Sequence, residues 1–388
     1  MQAKRGKIGW QLAVLLAGVL SSAGLARAQE TDPKQLFQEA DRAQQSGDYN
    51  TAVKDYEQLV RVHPEIVSAQ ANLGVALAAL GRYDEAIRQY EIALAEAPDD
   101  PALRLDLGLA YYKKGDFAGA AAQFAALHKA KPSDVRIATL LGNCEVQLGL
   151  VGEALALLEP LGKANPDNLD VEWALGTALI RAGQTRAGLE RVQKVADRSH
   201  SIEAYQLAAD LYLGLTYFDQ ARADAEAVIK LNPQVPKAYV VLGLVDDYAG
   251  DPKGAAEEYQ KALQLDPKDT QARLQLANAL FILRKLDAAR QQIEQLLAQD
   301  PKSSAGLYER GRIENAQGQL PAALKDFQAV EQSDPQWLLP HVDLAALYFR
   351  LNQPSEGARE KKIVDHLRTQ ERKRRDQNHV ISPQIHSQ

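Results

Sequence analysis

Cysteine and methionine are nearly absent: the 388-residue chain holds one of each. A single thiol excludes an intramolecular disulfide framework and any zinc or iron–sulfur site built from cysteines. The phosphate-cradling GxxxxGK[ST] loop, the GxGxxG turn and the GxSxG elbow are all missing. None of the seven histidines belongs to an HExxH pair or lies one helical turn from another. Paired acids such as Asp99-Asp100 and Glu257-Glu258 fall at turns and on polar helix faces, so they read as caps and solvated surface. Cys144 falls among apolar positions with no base beside it and reads as a small buried thiol. These absences argue against an enzyme, and no catalytic, cofactor-binding or metal-ligating residue is expected. Beyond residue 25 no apolar run is long enough for the roughly 20 residues a membrane span needs.

The first residues have a different character. Lys4, Arg5 and Lys7 form a basic head without acids, Gln11 to Leu25 is apolar or small, and Ala26-Arg27-Ala28 follows. That layout predicts a signal peptide, residues 1–28, cleaved before Gln29. Its apolar core is short for an anchor, and no cysteine follows the cut to carry a lipid. The expected location is therefore outside the cytoplasm, periplasmic or secreted. Losing the four bases of this segment takes the formal charge from −6 to −10.

What dominates the remainder is a period. Prolines stand at 64, 98, 132 and 166 and again at 233, 267, 301 and 335, each 34 residues apart within its set. The gap between the sets is 67, with His200 where one proline is missing. A period near 34 means stacked supersecondary units. Ten units start near 33, 67, 101, 135, 169, 202, 236, 270, 304 and 338. Position 8 is Gly or Ala in all ten, from Ala40 and Gly74 to Ala345; position 20 is likewise Gly or Ala, from Ala52 to Gly357. Small residues there let two helices approach closely. Position 24 carries Tyr56, Tyr90, Phe124, Leu158, Val192, Ala225, Tyr259, Ile293 and Phe327, which read as core plugs between units; Lys361 breaks the column. Position 15 is Gly in seven units, suiting a left-handed helix stop, and Asn352 can do the same, whereas Thr216 and Arg284 are poorer fits. Asp100, Asp134, Asn168, Asp269 and Ser303 are placed to cap the next helix.

The pattern resembles the tetratricopeptide repeat over residues 33–369. Gly81-Arg82-Tyr83-Asp84-Glu85-Ala86 and Asn72-Leu73-Gly74 look like the family's signatures, although no unit has its frequent Trp at position 4. The fifth unit is one residue short, which predicts a stacking irregularity near 185–202. The resemblance implies an all-α fold, a right-handed superhelical solenoid of about ten two-helix repeats with a concave groove. One continuous core is expected, since no two-helix unit buries its apolar face alone.

In tetratricopeptide repeats positions 2, 5, 9, 12 and 13 line the groove. Here they include Tyr112, Asn143, Trp173, Asp210, Tyr248, Asn278, Phe281, Tyr308, Arg312 and Phe349. Aromatics among amides and a few charges suit a peptide or protein partner; the plainer alternative is that they fill space between first helices. The family's clamp for a peptide C-terminal carboxylate is not expected. Around Asn72 its slots hold Phe37, Asp41, Ala102 and Asp106, and the acids would repel a carboxylate.

Residues 359–375 hold eight bases and three acids, against about −14 for the body at 29–358. The segment suits a polar capping helix; weak self-association or contact with an anionic surface is the sharper alternative. Residues 370–388 are expected to be a basic helix end and a disordered tail from Gln377. Nucleic acid is not an expected partner, because the body is acidic. The sequence therefore points to a non-enzymatic protein–protein scaffold of the cell envelope, or else to an assembly element that stacks through its repeats and basic end.

Overall fold

The computed structural model describes residues 32–381. The expected signal peptide and the last residues of the tail, 382–388, lie outside that range. Among the described residues there are twenty helices and no strand. They fall into two compact bodies, one ending at Leu161 and one beginning at Gly162.

The first body contains α1 (Pro33–Gln45), α2 (Tyr49–Val62), α3 (Val67–Ala79), α4 (Tyr83–Glu96), α5 (Pro101–Lys114), α6 (Phe117–Ala130) and α7 (Val135–Gln147). The boundary falls inside α8 (Val151–Ala164), next to Pro160, whose ring removes the N–H that would bond the Ala156 carbonyl. The second body contains α9 (Leu169–Arg181), α10 (Thr185–Ser199), α11 (Ile202–Gly214), α12 (Phe218–Leu231), α13 (Pro236–Ala249), α14 (Pro252–Leu265), α15 (Thr270–Ile282), α16 (Leu286–Gln299), α17 (Ser304–Ala316), α18 (Leu320–Ser333), α19 (Leu338–Arg350) and α20 (Pro354–Ile381). Within each body the two helices of a repeat pack together, each second helix packs on the next first helix, and first helices touch at α1–α3, α3–α5, α11–α13 and α15–α17.

The turn chemistry explains the helix ends. Position 15 is left-handed in all ten repeats: Gly47, Gly81, Gly115, Gly149, Gly183, Gly250 and Gly318, and also Thr216, Arg284 and Asn352. Asp100, Asp134, Asn168, Asp269 and Ser303 accept hydrogen bonds from the first backbone N–H groups of their helices. The short fifth repeat closes differently: α10 runs one residue longer than its neighbours and stops at a left-handed His200 (φ 54°). Only His200 and Ser201 separate it from α11.

Packing adds a detail to one expectation. Where position 8 is glycine, the position-24 side chain lies on it and seals its own helix pair, in addition to facing the next repeat, as Tyr56 does where Asn72 donates to its hydroxyl. A Cβ on Gly74 would sit 2.6 Å from the Tyr90 ring, on Gly108 2.7 Å from Phe124, and on Gly311 2.7 Å from Phe327. The buried side chains gather into clusters joined by shared half-buried residues, Tyr111 in the first body and Tyr212 and Leu307 in the second. In the first body, one cluster runs from Leu36 to Ala110 and another from Ala120 to Cys144. Burial pushes the Cys144 thiol up to about 12, which keeps it protonated and inert.

The last helix, α20, spans 28 residues and continues through Ile381, past the Gln377 at which the tail was expected to begin. Val364 and Leu367 bury one side of it, so the basic segment is continuous with a packed helix.

Candidate partner-binding site

The stripe residues divide by what they touch. In the first body Tyr112 is half-buried and meets Phe117 edge-on at 5.5 Å, and Asn143 is half-buried on α7. In the second body Trp173 is half-buried against the cluster containing Leu189 and Val192. Asp210 receives the Lys237 ammonium of the next repeat. Tyr248 is 67% exposed and stacks on Phe218 at 4.6 Å. Phe349 is 51% exposed, and its ring covers Gly357.

Four others, Asn278, Phe281, Tyr308 and Arg312, come together across α15, α17 and α19. The Arg312 guanidinium lies 4.5 Å above the Phe281 ring and donates to both Glu309 oxygens at 2.7 and 2.8 Å. It also reaches Asn278 Oδ1 at 3.4 Å. Tyr308 is buried, with its ring 4.8 Å from Trp337 and its hydroxyl donating to Asp343 Oδ2 at 2.7 Å. Around them opens a recess of about 440 Å³ lined by Leu274, Ala305, Tyr308, Glu309, Arg312, Trp337, Leu339 and Asp343. Leu339 is half exposed at its edge.

Sequence reasoning missed Glu309, Trp337, Leu339 and Asp343. Glu309 and Asp343 stand at position 6, one residue off the stripe, and Trp337 ends the preceding repeat. The signal for the first two was an acid at the same position in consecutive repeats.

Burial holds both carboxyls above the usual carboxylate range, and Arg312 pulls each partly back. Burial also raises the Tyr308 hydroxyl, so it stays a donor to Asp343. With two carboxylates and one guanidinium, the recess is net negative when ionised. Apolar walls with a poorly solvated acidic floor suit a segment that offers a cation beside an apolar side chain.

The slots around Asn72 in the first three repeats are filled as follows. Asn72 donates its amide to the Tyr56 hydroxyl at 3.1 Å, and Phe37 packs edge-on to that ring. Burial raises the Asp106 carboxyl.

A second feature escaped sequence reading. At position 4, where the family's Trp is missing, polar side chains point back to the proline six residues earlier. Gln70, Arg104, Tyr239, Arg273 and His341 meet the carbonyls of Pro64, Pro98, Pro233, Pro267 and Pro335. Glu172 cannot donate, and Lys194 bonds the Pro166 carbonyl in its place. Four of these side chains also pair with position 23 of their own second helix: Arg104–Gln123, Glu172–Arg191, Arg273–Gln292 and His341–Glu360.

Stacked helix pairs with this turn chemistry and a concave stripe define an α-helical repeat protein. The chain belongs to the tetratricopeptide repeat family. Two models of that description match it, one at residues 37–101 and 206–270 and the other at 77–144 and 248–308. It is 31% identical over 121 residues to a DnaJ homolog subfamily C member 7 homolog of Schizosaccharomyces pombe, covering 31% of this chain and 25% of that protein. It is 32% identical over 99 residues to a probable biofilm formation methyltransferase, WspC, of Pseudomonas putida, covering 24% and 23%. The chain thus spans about a quarter of the length of each of these relatives. A tetratricopeptide repeat protein from Parabacteroides merdae superposes with a TM-score of 0.46 at 19% identity, over 60% of this chain and 92% of that one. Yeast Tom70 superposes with a TM-score of 0.42 at 15% identity, over 86% and 85%.

Proposed function

We propose that this protein is a non-catalytic scaffold of the bacterial cell envelope, which binds an extended segment of a partner protein along its first helices. Tetratricopeptide repeat proteins generally mediate protein–protein interaction, and the envelope location follows from the signal-peptide layout of residues 1–28. The observation that carries the reading is the recess across α15, α17 and α19. Tyr308 and Arg312 line it with two half-desolvated acids and an exposed leucine, and Arg312 is held from behind by Phe281 and Asn278. The segment it suits carries a Lys or Arg next to an aliphatic or aromatic residue.

The test uses a peptide array of such segments against the chain, scored by fluorescence anisotropy. Leu339→Ala with Asp343→Asn should weaken binding of cation-plus-apolar peptides at least tenfold while circular dichroism stays unchanged. Equal binding of acidic peptides, or no loss in the double variant, would refute the reading.

The second reading is an assembly element. Eight bases between residues 359 and 375 on a 28-residue helix, against an acidic body, favour it. A salt-sensitive oligomer that disappears when residues 359–388 are deleted would select it; a monomer at all salt concentrations would remove it.

A further inference from the structure

The fourth of the position-4 pairs differs from the other three in its chemistry. Arg104–Gln123, Arg273–Gln292 and Glu172–Arg191 each set a donor against an acceptor. In the tenth repeat the corresponding pair is His341 and Glu360, both almost wholly buried. The Nε2 of His341 faces the Pro335 carbonyl at 3.1 Å. A carbonyl only accepts, so Nε2 carries the hydrogen of that bond. The other nitrogen, Nδ1, lies 2.7 Å from Glu360 Oε2. At that distance a proton between Nδ1 and the carboxylate makes a charge-assisted hydrogen bond; a metal ion replaces that proton once the two ligand atoms part to the roughly 3 Å that a pair of metal–ligand bonds spans. A second carboxylate converges on the same point: ligand atoms of Glu331, His341 and Glu360 all lie within 4.8 Å of one another.

The surroundings orient these groups as ligands. A metal-bound imidazole ordinarily donates its other N–H to a carbonyl or carboxylate, and ligating carboxylates are themselves hydrogen-bonded. Pro335 supplies the first partner. Arg359 supplies the second, donating to Glu360 Oε1 at 3.0 and 3.2 Å and leaving Oε2 turned to the imidazole. Glu331 is only half-buried, which gives a path from solvent.

We propose that Glu331, His341 and Glu360 form a binding site for a divalent transition-metal ion. One imidazole nitrogen and two carboxylate oxygens are the donor set of a three-ligand Zn²⁺ site with a position left for water. The ion would bridge both carboxylates, one of them already paired with Arg359, and tie α18 of the ninth repeat to α19 and α20 of the tenth. It would act as a staple between the ninth and tenth repeats.

The test is calorimetric titration of the metal-stripped, untagged chain with Zn²⁺, together with thermal melting in Zn²⁺ and in EDTA. One tight equivalent and a higher melting temperature in Zn²⁺ are expected. His341→Ala should abolish binding, but it also removes a buried structural group. Glu331→Gln, at a half-exposed position, is therefore the deciding variant and should weaken Zn²⁺ at least tenfold with the apo melting temperature unchanged. No tight equivalent in the wild type would overturn the proposal by showing that a proton alone fills the site. Unchanged affinity in Glu331→Gln would equally overturn it.

Discussion

Thr216 and Arg284 hold left-handed backbone (φ 61° and 60°) at the turn position where seven repeats use glycine. A β-branched residue in that conformation costs about 1–2 kcal/mol, because its Cβ crowds the following carbonyl. Thr216→Gly should therefore raise stability by about 1 kcal/mol, less the extra entropy that glycine gains when unfolded. Urea unfolding of the variant checks it, and a lowered midpoint would contradict the strain argument. Gly250→Thr, the reverse change at the next repeat's equivalent turn, should lose about as much.

Asp224 gives a pH dependence at the same scale. It is buried, and desolvation raises its carboxyl to about 6, although Gln193 donates to one oxygen. Its other oxygen has no partner, nor has Gln193 Oε1. The folded protein thus holds the proton more tightly than the unfolded chain. Stability from this group is complete below about pH 4 and is lost as pH rises through 6. Asp224→Asn supplies a donor for Gln193 Oε1 and should gain on the order of 2 kcal/mol at pH 7.5, with little gain at pH 4. Unfolding curves at the two pH values decide it; an equal gain at both would rule out ionisation as the cause.

For the helix pair, the deciding contact is a ring on a glycine. In the seventh repeat a Cβ on Gly243 would stand 2.5 Å from the Tyr259 ring, and Tyr259 is fully buried while donating to Asp247 at 2.6 Å. Gly243→Val should destabilise by about 3 kcal/mol through overpacking, and adding Tyr259→Leu should recover part of that. A double variant no better than the single one would show that the strain lies elsewhere. Arg273 works at the same level, satisfying the Pro267 carbonyl and two second-helix glutamines. Arg273→Leu removes these hydrogen bonds from a buried side chain whose acceptors water can still reach, and should cost about 1 kcal/mol, measurable by thermal melting.

Across the whole molecule the contacts are local, each repeat meeting its sequence neighbours within a body. Such an array gains stability from nearest-neighbour interfaces. Deleting one period, residues 270–303, should leave the helical signal per residue unchanged and lower the midpoint modestly. Collapse of the helical signal would mean that packing is not modular.

Much of this was written in the residue order. The period of 34, the small residues at positions 8 and 20, the left-handed stops and the capping acids all act through neighbours within a few turns, so spacing alone exposes them. The division near Pro160 and the extension of α20 to Ile381 depend on which side chains meet, and no column of the repeat encodes that. The candidate site shows the same divide. Phe281, Tyr308 and Arg312 were legible because a helical stripe is a matter of spacing. Glu309, Asp343 and Trp337 joined them only through packing, which brings three first helices, 34 residues apart along the chain, to one recess. The same holds for His341 and Glu360: sequence placed each on its helix, and the tertiary structure alone brought the imidazole and the carboxylate together in a dry interior.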